Sequence, residues 1–400
     1  MKKGQIRRKI FLAACLLGAV VCLGGCGDDV DAFIPAAGEA LTGQDTGTEK
    51  AEEIPEKKEE AGGQDEVDMP ASEPTPEPTP EPVTITISAA GDCSLGNHHE
   101  QDYYGSFVQA YDKAEDEGYF FRNVKEIFEA DDFTIVNLEG VLTTLEERQE
   151  GRTYNIKGDP SYVGILTAAD VEAVSMGNNH RLDYGVAGTK DTVAALEGAG
   201  IAYAYDDIVS VTEHKGIRIG FLSVNEVAWG LGTERLIREG MEKLQEQEAD
   251  LIIACCHWGT EKDYQPEEYQ LELGHLCIDL GADLVLGHHP HVLQGIEEYQ
   301  GRYIVHSLAN FCFGANRNPA DKDTMIYQQT FTFVNGIRTD TAEAKVIPCS
   351  VSSVTERNNF QPTLLEGEER ERVIKKLNTY SEEFGTYITE AGEVKSKEEE

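Results

Sequence analysis

"LVLGHHPHVLQG", residues 284–295, joins a short apolar run to three histidines within four positions. A run of Leu, Val and Leu closed by glycine reads as a strand buried on both faces. Polar groups placed directly after such strands occupy the crevice at the carboxyl ends of open α/β sheets. The pattern recurs upstream. Asp92 follows "VTITISAA" (83–90), Glu139 follows "FTIVNL" (133–138), "GNNH" (177–180) follows "VEAVSM" (171–176), and His257 follows "LIIACC" (251–256). "IRIGFLSV" (217–224) is a further strand of this kind. Between the runs lie amphipathic stretches such as "GVAGTKDTVAALEGAG" (185–200) and "PEEYQLELGHLCIDLGA" (266–282), which predict helices. The alternation predicts an α/β fold in which five strand ends bring their polar groups together. The later runs "YIVHSL" (303–308), "IYQQTFTFV" (326–334) and "IRTDTAEAKVI" (337–347) alternate in period two and predict antiparallel strands.

The chain of 400 residues begins with "MKKGQIRRK", which is basic, followed by the 14-residue apolar run "IFLAACLLGAVVCL". That run is short for a bilayer span and suits a secretory signal, ending in "LGGC" at Cys26. The ending resembles a bacterial lipobox, which implies cleavage before Cys26 and its lipidation. Residues 1–26 are then a lipoprotein signal, and the protein an extracytoplasmic one held to membrane lipid through Cys26; an uncleaved signal anchor is the alternative. Residues 27–83 hold 17 acidic residues against 3 lysines, with 8 of the chain's 14 prolines. Such a segment buries too little apolar surface to offset its ordering entropy and is expected to be a disordered linker. The folded domain is expected over residues 84–350, followed by a charged amphipathic helix and a frayed acidic tail over 351–400.

With 73 acidic and 34 basic residues the net charge is −39, which repels nucleic acid at long range. An anionic substrate therefore needs a strongly positive local group, and bound metal ions supply one. Carboxylates, an Asn carbonyl and imidazoles form a mixed oxygen and nitrogen ligand set suited to Mn²⁺, Fe²⁺ or Zn²⁺. Beyond the signal the cysteines are Cys93, Cys255, Cys256, Cys277, Cys312 and Cys349. Their even number permits disulfides, but their apolar contexts favour buried thiols.

Together "GDCSLG", "NLEG", "NNHRLDYG", "HWGTE", "HPHVLQ" and "SLANF" resemble the bacterial capsule synthesis protein CapA family, associated with poly-γ-glutamate production and similar to calcineurin-like metallophosphoesterases. The resemblance spans roughly residues 84–350. It implies a metallophosphoesterase-like layered β-sandwich flanked by helices, with a site for two divalent metals at the strand carboxyl ends. By resemblance Asp92 and His291 bind the first metal, Glu139 bridges, and Asn179, His257 and His289 bind the second. His180 is then a general acid oriented by Asp183, Glu261 supports His257, and Asn137 and Asn310 lie in the supporting or substrate-facing set.

Two departures stand out. Ser94 occupies the position at which phosphoesterases carry the histidine of Asp-x-His, and Ala309 stands in "SLANF" where glycine is more common. His98 and His99 read as solvated loop residues, His288 as a rim residue, Asn178 as a turn former and His306 as a core histidine. Two functions remain open. One is a surface-anchored phosphoester hydrolase in capsule or poly-γ-glutamate metabolism. The other is a non-catalytic accessory, working with membrane proteins of a synthesis or export complex, that grips polymer carboxylates through metal.

Overall fold

The structure, a computed structural model, describes residues 81–114 and 116–397. The signal, Cys26 and nearly all of the acidic linker lie outside the described residues. Two sheets face one another. In the first, four parallel strands run Val83–Ser94, Phe133–Leu138, Ala173–Ser175 and Ala202–Ala204. On the other side of Val83–Ser94 the sheet continues antiparallel through Asp323–Val334 and Ile337–Ser350. The second sheet is parallel through Ile217–Asn225, Leu251–His257, Leu284–His288 and Arg302–Val305. Its edges are the antiparallel strands Ser210–His214 and Ile296–Tyr299.

Alternation along each strand builds the layers. Ile85, Ile87 and Ala89 of the first sheet share one core with Leu251, Ile253, Cys255, Leu284 and Leu286 of the second. The opposite faces are covered by helices. Leu236, Ile237, Met241 and Leu244 of the helix Thr233–Glu246 pack on Leu222, Ala254 and Val285. The helices Val163–Ala168 and Gly185–Ala199 cover the first sheet through Ile165, Leu166 and Leu196. This is the α/β alternation that the strand pattern predicts, in the layered sandwich that the family resemblance implies, with helices ending as expected: Gly200 closes Gly185–Ala199 at φ 75°. All six cysteines of the described residues are buried free thiols.

Two features differ from the sequence reading. Arg302–Val305 pairs parallel with Leu284–Leu286 on its inner side and antiparallel only with Ile296–Tyr299 at the edge. Period-two alternation reports a half-buried strand, not its direction. The charged helix expected after residue 350 packs on the domain, and two strands follow it. Val373, Ile374 and Leu377 of the helix Gly367–Tyr380, with Ile388 and Val394, belong to the central core. The strands Thr386–Ile388 and Glu393–Ser396 extend the first sheet: Val394 and Glu393 pair with Ala344 and Lys345, and Lys395 and Ser396, the first residues of the tail expected to fray, pair with Tyr387 and Thr386.

The helix is pinned by charge. Arg372 donates to both oxygens of Asp323 at 2.7 and 2.6 Å, and Lys376 Nζ donates to Asp323 Oδ2 at 2.9 Å. Burial raises the Asp323 pKa, but Arg372 and Lys376 outweigh it and hold the carboxyl below its ordinary value. A depressed folded-state pKa gives stability that is complete above the unfolded value, about 3.9, and lost as pH falls through the folded one. Arg372 is half-exposed, so solvent screening limits the contribution to about 1–2 kcal/mol. Asp323→Asn is expected to lower the melting temperature at neutral pH and to flatten its fall below about pH 4; thermal melts across that range measure both.

Candidate metal centre

Strand register assembles the site in two rows. In the first sheet Asp92, Asn137 and Ser175 are neighbours across adjacent strands. In the second, Asn225, His257 and His288 align in the same way. Both rows lie at carboxyl ends, and side chains join them. Asp92 Oδ2 is 2.9 Å from His291 Nδ1, and Asp92 Oδ1 is 3.3 Å from His288 Nδ1. Asn137, fully buried, is the hub: Nδ2 donates to Asp92 Oδ1 at 2.8 Å and lies 3.5 Å from His257 Nδ1. Its Oδ1 accepts from Ser175 Oγ at 3.2 Å and Asn178 Nδ2 at 3.1 Å.

The backbone is bent to bring these groups in. Gly91 admits the neighbouring chain, since a Cβ there would lie 1.9 Å from the Ala309 carbonyl oxygen, which accepts Asp92 N–H at 2.8 Å. Ala309 has φ 63°, which explains why glycine suits that position. His289 and His291 also have positive φ, 95° and 58°. Non-glycine residues in such conformations cost of order 1–3 kcal/mol each and cluster at functional sites. Asn310 Nδ2 donates to the His291 carbonyl at 3.2 Å, while its Oδ1 is buried without a partner.

Glu139 is fully buried, and neither of its carboxylate oxygens has a hydrogen-bond donor. Its Oε1 faces His291 Nε2 at 3.7 Å and His180 Nε2 at 3.8 Å. Ligand atoms of Asp92, Glu139 and His291 all lie within 4.8 Å of one another. On the other flank His257 Nε2 is 3.0 Å from Asn179 Oδ1. The His257 and His289 rings are 4.7 Å apart, and His289 and His291 are 5.8 Å apart. His289 buries an Nδ1 with no hydrogen-bond partner. Leaving both oxygens of a buried carboxylate unpaired is costly unless a cation meets them. Asp92, Glu139 and His291 therefore form a donor set that fits a divalent metal, with His288, Asn179, His257 and His289 close by.

The electrostatics point the same way. Burial pushes Glu139 up to about 7, with His291 pulling it back and Asp92 adding to the rise. Burial would raise Asp92 too, but hydrogen bonding to His288 and His291 holds it well below its ordinary value. Burial depresses His257 strongly and His289 to about 4, so both are neutral imidazoles at neutral pH, the form that ligates metal. Burial would depress His291 as well, but Glu139 and Asp92 outweigh it and raise it to about 9. To ligate, His291 must release that proton.

His180 forms a dyad beside this cluster. Its Nδ1 is 2.7 Å from Asp183 Oδ2. The fully buried Asp183 also accepts from Ile156 N–H at 2.6 Å and from Arg152 Nη1 at 3.0 Å. Arg152 donates as well to the Asn179 carbonyl, tying the dyad to the ligand loop. Asn178 does more than turn the chain: its Oδ1 accepts His180 N–H at 3.1 Å and its Nδ2 donates to Leu138 O at 2.8 Å.

Three expectations change. His288 is not a rim residue; it is buried against Asp92. Period two was the available signal, since it puts Leu284, Leu286 and His288 on one face. Glu261 does not support His257: it is exposed and 3.9 Å from Lys262 Nζ, while Asn137 and Asn179 are the groups beside the His257 ring. His98 and His99 are half-buried rather than fully solvated. His98 Nδ1 accepts Glu100 N–H at 3.3 Å and His99 Nδ1 accepts Asn155 N–H at 3.2 Å. His306 is in the core, with Nε2 3.0 Å from Glu297 Oε2. Ser94 is buried with its hydroxyl unpaired. Arg152, in an irregular loop, gave no sequence signal.

Residues 86–315 match the family described as bacterial capsule synthesis protein PGA_cap. The chain belongs to this family. Among curated relatives it is 30% identical over 229 residues to the PGA biosynthesis protein CapA of Bacillus subtilis (strain 168), covering 52% of this chain and 60% of that protein. It is 27% identical over 257 residues to the capsule biosynthesis protein CapA of Bacillus anthracis, covering 57% and 60%. The chain thus spans about three-fifths of the length of these relatives. Among solved structures, a 5'-nucleotidase precursor from Thermus thermophilus aligns at a TM-score of 0.38 and 10% identity, covering 75% of this chain and 59% of that one. The PGA_cap match begins within the first strand of the sandwich and ends just after "SLANF", so it contains every residue of the metal centre described above.

Proposed function

We propose that the protein is a metal-dependent hydrolase of the phosphoester type, anchored at the outer face of the cell membrane and working in capsule or poly-γ-glutamate metabolism. The observation that carries this reading is Glu139, a fully buried carboxylate with no hydrogen-bond donor on either oxygen, set among imidazoles on both sides. Asp92, His291 and His288 would hold one divalent ion, Asn179, His257 and His289 a second, and Glu139 would be shared. Manganese, iron or zinc suits this set, and such ions would polarise a phosphoryl oxygen. His180, 14% exposed and held by Asp183, donates a proton to the leaving group from Nε2. Asp183 accepts the Nδ1 proton and so fixes the ring with Nε2 as the reacting nitrogen, and Arg152 keeps Asp183 in place.

Metal analysis of the purified protein, followed by a panel of phosphoesters with and without Mn²⁺, tests this. Stoichiometric metal with turnover is expected; absence of bound metal would overturn the reading. Ser94 favours a second one, because it offers a hydroxyl where phosphoesterases carry an imidazole. Metal held without turnover of any phosphoester would mark an accessory that grips polymer carboxylates, working with membrane proteins of a synthesis or export complex.

Anchoring rests on "LGGC" behind its short apolar run. Cys26→Ser is expected to abolish incorporation of labelled fatty acid and to leave the protein uncleaved or released from the membrane. Continued labelling of that variant would place the anchor elsewhere.

A further inference from the structure

On the first sheet's helical side, the helix Phe107–Ala114 and the segment 357–360 enclose a pocket of about 150 Å³. Ser106, Gln109, Ala110, Lys113 and Ala114 fall on one helical face along it, opposite Arg357, Asn359 and Phe360. Among the described residues no Asp or Glu lines it, on a chain with 73 acidic residues. Lys113 and Arg357 are exposed, and among the described residues neither pairs with a carboxylate. Arg317, similarly without an ion pair, lies across Gly105 and donates to the Tyr104 carbonyl at 3.0 Å. Two acidic side chains of this stretch are committed elsewhere: Asp112 accepts from Tyr103 OH at 2.9 Å, and Asp116 pairs with Arg122 at 2.8 Å.

The wall carrying Arg357 is pre-formed. Asn358 Nδ2 donates to the carbonyls of Phe313 and Asn316, both at 3.0 Å, and its Oδ1 accepts Phe360 N–H at 2.8 Å. The Arg357 carbonyl accepts from Lys322 Nζ at 3.3 Å and Ser352 Oγ at 2.9 Å. The backbone is thus held while the guanidinium has no partner among the described residues, so a ligand has the Arg357 side chain to order but not its backbone.

We propose that this pocket binds an organic carboxylate, the end group or side chain of an acidic molecule, apart from the metal centre. Arg357 offers a planar fork matched to a carboxylate, and Lys113 a second cation. Ala110, Ala114, Tyr119 and Phe360 supply apolar wall beside these charges, which asks for hydrocarbon next to the anion and disfavours inorganic phosphate. A volume of about 150 Å³ accommodates a group of benzene's size, hence one such end group rather than a whole chain.

Calorimetric titration of the full chain with triglutamate and, separately, with inorganic phosphate tests the assignment. Triglutamate is expected to bind at one site, more tightly than phosphate, and to remain bound after chelation of metal. Arg357→Glu and Lys113→Glu are each expected to weaken it about tenfold or more, the effect of losing one charge-assisted bond. Their melting temperatures should match the parent's, because neither side chain has a partner in the fold. Phosphate binding as tightly as triglutamate, loss of binding on chelation, or binding indifferent to both substitutions would each overturn the proposal. Since the readout is binding in the absence of metal, failure here leaves the phosphoesterase reading standing, and failure of that reading leaves this site untouched.

Discussion

His180→Ala is expected to retain the metal content of the parent while turnover of a phosphoester falls by about 10²–10⁴-fold, the contribution of a positioned general acid. The dyad geometry separates this residue from the ligands: Nδ1 is taken by Asp183 at 2.7 Å and Nε2 stands 3.8 Å from Glu139. The loss should shrink for a nitrophenyl ester, whose leaving group needs no proton, and grow for an alkyl ester. His289→Ala provides the contrast. Its neutral ring packs 4.7 Å from His257, so its removal should lower bound metal and activity together. Metal analysis beside steady-state rates on the two ester classes distinguishes these outcomes. A His180→Ala protein as metal-poor as His289→Ala would make His180 a ligand.

The largest stability effect is expected at Trp258. Its indole is fully buried among Cys256, Ile278 and Ile304, and Nε1 donates to the His306 carbonyl at 2.9 Å. Two glycines make room for it: a Cβ on Gly287 would stand 2.7 Å from Nε1, and one on Gly274 3.5 Å from the ring. With glycine on both sides, neighbouring side chains cannot refill the space, so Trp258→Ala should cost about 3–5 kcal/mol. Trp258→Phe retains most of the apolar volume and loses the indole donor, leaving the His306 carbonyl short of a partner at about 1–3 kcal/mol. Denaturant midpoints of the three proteins measure the series. Because Trp258 directly follows His257, the alanine variant should also bind metal less tightly than its residual fold would imply.

Much of the sandwich is legible from short apolar runs, because strands buried on both faces must be apolar throughout and a polar residue can enter only where they end. That rule places Asp92, Glu139, Asn179, His180, His257 and His289 at strand ends from the chain alone, and the motif spacing identifies the family. The same rule read at period two reaches His288, since Leu284 and Leu286 share its face. The strong negative charge is likewise a property of composition. What depended on the fold was contact between residues far apart in sequence. Asn137 enters the candidate set only through the family resemblance, and its partners come from the fold, where the register sets it against Asp92 and the facing sheet brings His257 to it. Arg152 carries no local pattern and acquires its role only by reaching Asp183 and the Asn179 carbonyl. Glu261 sits in a motif beside His257 yet is exposed, and the groups beside the His257 ring are Asn137 and Asn179, because a neighbour in sequence need not be a neighbour in space. Local pattern determines which residues are buried and on which face; packing of the two sheets decides which of those residues meet, and that decision set the partners of every polar group at the centre.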